Sequence, residues 1–495
     1  MEGSENFVKA VAQLTKYING YFGNIRTRKV LSSVVPGFLR KLIPEKAPQN
    51  PDKWEDVFQD IERIIMPGVC HWQHPNFGAY FPARTSYAAI LAEMLSDTLV
   101  NVVISWKSSP AATELEVIVL DWLAKAIKLP EIFLSTSEGS GGGVIQSSTT
   151  ENILISLFTA RTLGIQKIER RNSGMEEGVA VSKLIAYKSP DSHCSVEKAF
   201  QIALVKYRDI ELDEKRVMRG ENVRKAVEED KAKGLTPFYI CATLGTVSVC
   251  AFDNIDELGA VCKDEGLWLH IDAAYAGNAF ICPEYRYLMN GVEYADSICV
   301  SPHKWLQVPT GCSVLWLKNS NKLVNSLPEP GEYLQCTEED SEMPNFTKWQ
   351  IPCGRPFISL KLWFVFRLFG IRELQKIIRK DIKLAQIFRD LIEKDGRFEL
   401  IGENLMSLVC FRLKGNNEIN EELIQSLTLT REIHIGCSKI DDNVFLRFVV
   451  HAYQATSEDI QYSYKLIKKL ADQVLFSKPH PRSEISSKCF KCIII

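Results

Sequence analysis

The sequence predicts an α/β protein: a mostly parallel sheet with helices on both faces, preceded by a helical lobe and followed by a small α+β domain. Two observations carry this. Short apolar runs at Lys183–Tyr187, Pro237–Thr243, Gly266–Ile271, Asp296–Val300 and Ser313–Leu317 alternate with helical patterns, as in strands joined by helical crossovers. Residues able to handle a cofactor follow several of these runs, where open α/β sheets bind their ligands.

Residues 1–82 form the helical lobe. Phe7, Val8, Val11, Leu14 and Tyr17 mark one helix and Trp54, Val57, Ile61 and Ile65 a second, separated by Pro36, Pro44, Pro48 and Pro51. So small a segment cannot bury a core alone and must pack on the body of the chain or on a second subunit. Residues 83–359 form the large domain. Its run Ala88–Trp106 carries Glu93, Asp97 and Asn101, which indicates a buried helix rather than a membrane span. A helix over Ala111–Ile127 precedes the glycine run 139–143, read as a turn, and another helix extends to about Leu163. The loop 328–344, rich in acids and prolines, leads to the small domain, 360–476. That domain opens on an aromatic helix and holds strands at Met406–Phe411 and Phe445–Val450. Residues 477–495 read as a flexible tail.

Composition narrows the function classes. The 495 residues carry 59 basic and 61 acidic side chains, so no global field favours nucleic acid or an acidic membrane. The first residues lack the layout of a signal peptide, and the expected location is the cytoplasm. Fourteen cysteines show no paired zinc spacing, and in a reducing compartment they are expected to be thiols, mostly small buried hydrophobes. No metal site is expected.

The chemistry centres on Lys304 in Ser301-Pro302-His303-Lys304-Trp305 and on Asp272, which follows the strand Trp268–Ile271. Pyridoxal phosphate needs an amine to carry it and an acid beside its ring nitrogen to keep that nitrogen protonated. Lys304 offers the first and Asp272 the second. Ser147-Ser148-Thr149-Thr150, after the glycine run and at a helix start, supplies amides and hydroxyls for a phosphate; a plain capping turn is the alternative. His193 and the segment Thr243-Leu244-Gly245-Thr246 also follow strands.

Seven segments then resemble the aromatic L-amino-acid decarboxylases, the animal-type group II pyridoxal-phosphate decarboxylases: Trp72–Pro75, Ala79–Pro82, Ser109–Glu116, Glu138–Glu151, His270–Gly277, Ser301–Trp305 and Trp349–Pro352. The resemblance runs from about Phe7 to about Lys468. It implies a fold type I pyridoxal-phosphate enzyme, a homodimer with active sites at the subunit interface and the helical lobe packed on the partner. Lys304 matches the Schiff-base lysine, Asp272 the partner of the ring nitrogen, and His193 the histidine stacked on the ring, with Ala274 beneath it. Thr149, Thr150 and Ser301 match the phosphate end, and Thr246 and His303 also contact the cofactor. Trp72, Tyr80, Phe81, Pro82, Ala83, Val102, Ile104, His193 and Gly354 match substrate-facing positions. Tyr333 matches the mobile-loop tyrosine that returns a proton to Cα.

The implied reaction is decarboxylation of an aromatic L-amino acid of the dopa, tyrosine, tryptophan or phenylalanine type to its arylalkylamine and CO2. An aldehyde-synthase reaction and a weakly catalytic binding protein are the alternatives. Departures from the family pattern cluster in the pocket. Ala83 and Val247 replace threonines, Ser301 an asparagine, Ile104 a phenylalanine, and Thr347 and Pro356 arginines. Gly354 follows the aromatic decarboxylases, whereas histidine decarboxylases tend to carry serine. Finally, Cys492-Ile493-Ile494-Ile495 fits a prenylation pattern with an unusual last residue, so membrane association is expected only if Cys492 carries a lipid.

Overall fold

The computed structural model describes residues 3–327 and 343–476. Tyr333 and Cys492 lie outside them. The chain divides into two compact units, the larger from Ala83–Ile382 and Gly402–Met406, the smaller from Met1–Pro82, Lys383–Ile401 and Ser407–Ile495.

Seven strands build the sheet of the larger unit: β1 Gly142–Gln146, β2 Leu184–Lys188, β3 Lys206–Asp209, β4 Thr236–Thr243, β5 Trp268–Asp272, β6 Ser297–Val300 and β7 Ser313–Leu317. Their order is β1-β7-β6-β5-β4-β2-β3. Neighbours from β6 to β3 are parallel, and β7 runs antiparallel to both β6 and β1. Every residue of β1, β2, β5, β6 and β7 is buried, as expected of strands covered by helices on both faces. Register matters most at one edge. Thr243 pairs with Asp272, Asp272 with Cys299, Val300 with Val314, and Gln146 with Ser313. The ends of β1, β4, β5 and β6 and the start of antiparallel β7 therefore share that edge.

Two local readings change. Gly142 and Gly143 belong to β1 rather than to a turn, because the strand passes close under aromatic rings. A Cβ at Gly143 would stand 2.8 Å from the Trp316 indole, and one at Gly142 would stand 3.2 Å from Trp349. The edge strand β3, Lys-Tyr-Arg-Asp, has no apolar run to announce it. The helices Pro110–Ile127 and Thr149–Arg171 match the helical patterns of the sequence. The run Ala88–Trp106 is helical only over Tyr87–Leu99, and one face of that helix, with Leu91, Leu95 and Leu99, is exposed rather than buried. The larger unit continues to Ile382 rather than ending near residue 359, since Phe357 and Leu360 are buried in its core with Trp363 and Phe364 against it. The helix Ser359–Lys394 is broken at Gly370, whose φ of 68° favours glycine.

The smaller unit is a five-stranded sheet with the helices Asn417–Thr430 and Ser457–Phe476. Its edge strand is Phe77–Gly78, which pairs in parallel with His434–Ile440 through Phe77 and His434. That pairing groups residues before 83 with the C-terminal ones, so the lobe and the small domain, read separately in the sequence, share one unit. Among the described residues no helix is long and apolar enough to cross a membrane.

Candidate active site

Lys304 lies in the one-turn helix Pro302–Trp305 that follows β6. Proline at the first helical position suits such a turn, because its missing N–H would have had no partner. The turn is fixed by Ser301 N–H donating to Ala274 O (3.0 Å) and Lys304 N–H to Ser301 O (2.9 Å). Burial lowers the proton affinity of the Lys304 amine, and the charge of Asp272 opposes that shift. Asp272, last residue of β5, is buried, and its Oδ1 accepts from Ala274 N–H at 3.0 Å, with the Cys299 thiol at 3.7 Å.

His193 caps the helix Cys194–Ile202. Its Nδ1 accepts from the Ser195 backbone N–H (3.1 Å) and lies 2.7 Å from Ser195 Oγ. A backbone N–H can only donate, so the neutral ring carries its proton on Nε2. Burial, then Lys304, push its pKa down while Asp272 pulls it up, so amine, carboxylate and imidazole act on one another. The Cys194 sulfur is 4.0 Å from both ring nitrogens. The loop before His193 is held by a two-pronged pair, Arg216 on Asp191 at 2.9 and 2.6 Å. His303 has the opposite tautomer. Its Nδ1 donates to Cys312 O at 2.7 Å, and burial brings its pKa down to about 4, so Nε2 offers a lone pair.

A chain of hydroxyls spans the start of the helix Thr149–Arg171. Thr149 Oγ1 meets Ser301 Oγ at 2.8 Å, Ser301 Oγ meets Ser313 Oγ at 2.7 Å, and Asn152 Nδ2 donates to Ser313 Oγ at 2.8 Å. Thr150 is the next residue on that first turn, whose N–H groups have no partner within the helix. Serine at 301 thus belongs to a connected network that joins three elements at the start of that helix.

Thr246 fits its expected role less directly, because its hydroxyl accepts from Ala251 N–H at 2.9 Å and closes the turn after β4. Thr243, which the sequence singles out only as the start of the segment Thr243–Thr246, gains a specific place in the structure. It stands beside Asp272 in register, and its Oγ1 is buried without a hydrogen-bond partner among the described residues. The orphaned hydroxyl, the buried amine facing a carboxylate, and the hydroxyl-lined helix start together fit pyridoxal phosphate: an aldehyde, a ring nitrogen and a phosphate each meet suitable donors or acceptors.

The remaining predicted residues form two other groups. Val103 exchanges backbone bonds with Arg355, which sets Val102 and Ile104 against Gly354; a Cβ at Gly354 would lie 2.5 Å from Val102 Cγ1 and 3.1 Å from Ile104 Cγ1. Arg355 is anchored by a buried two-pronged pair with Glu116 and by Gln350 Oε1. In the smaller unit Trp72 stacks on Tyr80 (5.3 Å, 9°) and on Phe77 (4.8 Å), and Arg447 lies over the Phe81 ring at 5.3 Å. Pro82 is buried and ends that segment of the unit, and Ala83 begins the larger one.

Residues 36–414 match the model of the pyridoxal-dependent decarboxylase conserved domain. The chain belongs to the pyridoxal-dependent decarboxylase family. Within the family it is 46% identical to the aromatic-L-amino-acid decarboxylase of Rattus norvegicus over 473 residues, 95% of this chain and 98% of that one. It is 47% identical to the enzyme of the same name from Manduca sexta over 474 residues, 96% and 92% of the two chains. Among solved structures, tryptophan decarboxylase of Catharanthus roseus in complex with L-tryptophan superposes with a TM-score of 0.89 at 39% identity, covering 95% of this chain and 99% of that one. The 4-hydroxyphenylacetaldehyde synthase of Rhodiola rosea superposes with a TM-score of 0.88 at 33% identity, covering the same shares. This pyridoxal-dependent decarboxylase is a carboxy-lyase of the fold expected from its sequence.

Proposed function

We propose that the cluster around Lys304 removes the carboxyl group of an aromatic L-amino acid, giving the arylalkylamine and CO2. The observation that carries this is the buried Lys304 amine, its proton affinity lowered by burial and set against Asp272 and His193 at the edge of the sheet. When bound, pyridoxal phosphate supplies a protonated ring that accepts the electron pair left by departing CO2.

Each residue then has a stated task. Lys304 holds the cofactor through its amine, and Asp272 keeps the ring nitrogen protonated. Thr149, Thr150 and Ser301, with the first helical N–H groups, hold the phosphate. His193 and Ala274 cover the two ring faces. His193 presents Nε2–H as a donor, while His303 and Thr246 steady the turns on which the cofactor rests. Gly354, Val102 and Ile104 shape the space for the aromatic side chain, and the assignment of Trp72, Tyr80, Phe81, Pro82 and Ala83 to substrate rests on the resemblance. Tyr333, outside the described residues, is the proton donor that the resemblance supplies.

The working form is a homodimer with active sites at the subunit interface. Its support is an exposed apolar stripe on the helix Tyr87–Leu99, formed by Tyr87, Leu91, Leu95 and Leu99, and exposed Phe7 and Val8 on the helix Ser4–Gly23. The proposed location is the cytoplasm, with membrane attachment reserved for a lipidated Cys492. A second reading, oxidative release of an aldehyde, is favoured by the likeness to the Rhodiola rosea synthase.

The test is incubation of the holoenzyme with tyrosine, dopa, tryptophan, phenylalanine and histidine while CO2, amine and peroxide are followed. Amine equal to CO2 without peroxide is expected; stoichiometric peroxide would replace the first reading by the second. Lys304→Ala should abolish both turnover and the visible absorbance of bound cofactor. Absorbance lost in that variant, with no turnover of any amino acid by the wild type, would instead indicate a binding protein.

A further inference from the structure

Beneath the lysine turn, Arg84 and Asp381 form an ion pair whose side chains are 1% and 0% exposed. Arg84 Nε and Nη1 and Asp381 Oδ1 have no hydrogen-bond partner among the described residues. Burying two charges with three polar atoms unmatched is costly, and apolar residues of similar size are often at least as stable in such a place. Stability alone therefore does not explain the pair. Its contacts do.

Asp381 Oδ2 accepts from the Trp305 indole N–H at 2.9 Å, and the Arg84 backbone N–H donates to His303 O at 2.9 Å. Trp305 stacks flat on Tyr275, with centroids 4.9 Å apart and 6° between planes, and Tyr275 directly follows Ala274. The His303 ring is bonded on its other side to Cys312 O. Both neighbours of Lys304 are thus tied down, one through its carbonyl and ring, the other through its indole. Arg84 in turn is next to Ala83.

We propose that Asp381 and Arg84 are positioning residues for this reaction, acting through Trp305 and His303 to fix where the Lys304 amine stands. The proposal rests on the reading that Lys304 carries the cofactor. A side chain held from both flanks loses little freedom when it reacts, and small misplacement of a reacting group is expensive in rate.

The decisive variant is Trp305→Phe, which keeps an aromatic ring on Tyr275 while removing the N–H that Asp381 accepts together with the five-membered part of the indole. Asp381→Asn is its companion: it keeps an acceptor for Trp305 and removes the charge facing Arg84. Holoenzyme is compared by visible circular dichroism of the bound cofactor, by KM and kcat separately, and by far-ultraviolet circular dichroism. For Trp305→Phe the expected result is kcat reduced about tenfold or more, KM within about twofold, and a smaller visible dichroic band with the far-ultraviolet spectrum unchanged. Asp381→Asn keeps the Trp305 link but loosens the hold of Arg84 and should reduce kcat less than Trp305→Phe, while the double variant should fall little below Trp305→Phe alone, because both act through Trp305. A Trp305→Phe enzyme with wild-type kcat and visible dichroism would overturn the proposal, even if it melts earlier, and this variant decides if Asp381→Asn fails to fold. Lys304→Ala is the control for the underlying reading: if it keeps the visible band, that reading fails, whatever the other variants do.

Discussion

Replacing Gly354 by serine puts a single number to work. A Cβ there would stand 2.5 Å from Val102 Cγ1 and 3.1 Å from Ile104 Cγ1, whereas carbon atoms rest at about 3.5–4.0 Å. The strand-like pairing of Val103 with Arg355 and the buried Arg355–Glu116 pair hold both backbones, so the side chains must give. Overpacking of this kind costs about 1–3 kcal/mol, which at about 1.4 kcal/mol per decade corresponds to roughly 5- to 150-fold. Gly354→Ser should lower kcat/KM for aromatic amino acids by a factor in that range, or lower the melting temperature by the same free energy if the strain falls on the fold. Val102→Ala in the same chain removes the nearest methyl and should restore most of the loss. The assay is a double-mutant cycle on kcat/KM and on urea unfolding. Coupling below about 0.5 kcal/mol in both measurements would refute the steric argument, because sites without a shared contact add to within that margin.

Other perturbations read different parts of the molecule. Removing the carboxylate in Glu116→Gln strands the Arg355 guanidinium in a buried site and should cost about 3–5 kcal/mol in urea unfolding. Thr243→Val deletes the orphaned hydroxyl; the apoenzyme should melt no earlier than wild type, while cofactor affinity falls about tenfold, both measurable by fluorescence. His74, His270, His303 and His434 all have pKa values lowered to about 4, with burial the main cause. Because the folded values lie below the unfolded value of about 6.5, the stability they contribute is complete above that pH and is lost as pH falls toward 4. Between pH 7.5 and 5 each should cost about 2 kcal/mol, and His270→Gln should remove one such share from the measured pH slope.

The core of the site was legible because it is built from strand ends. Lys304, Asp272, His193 and Thr149 each follow an apolar run, and register brings those ends together without any side chain having to be guessed. What stayed hidden depends on distance across the fold. Thr243 looks like any strand threonine until its pairing with Asp272 is known, and nothing in the run around Asp381 marks a carboxylate beneath Trp305. The glycines of β1 read as a turn because the Trp316 and Trp349 rings that require them lie 173 and 207 positions away in sequence. Likewise the residues before 83 join the C-terminal sheet through a two-residue strand, too short to leave a pattern, and through scattered contacts such as Arg26 on Asp459 and Val30 N–H on Arg431 O.

The cysteines have a practical use. Cys241 and Cys299 flank the Asp272 strand, fully buried, with thiol pKa values pushed well up by burial, so electrophilic reagents should pass them by. Among the described residues only Cys194 and Cys353 are exposed, and one adjoins His193 while the other adjoins Gly354. With the half-buried Cys70 and the cysteines outside the described residues, Cys336, Cys489 and Cys492, replaced, a fluorophore or spin label introduced by maleimide chemistry would attach beside the imidazole and beside the glycine. Ligand arrival at either place could then be followed spectroscopically.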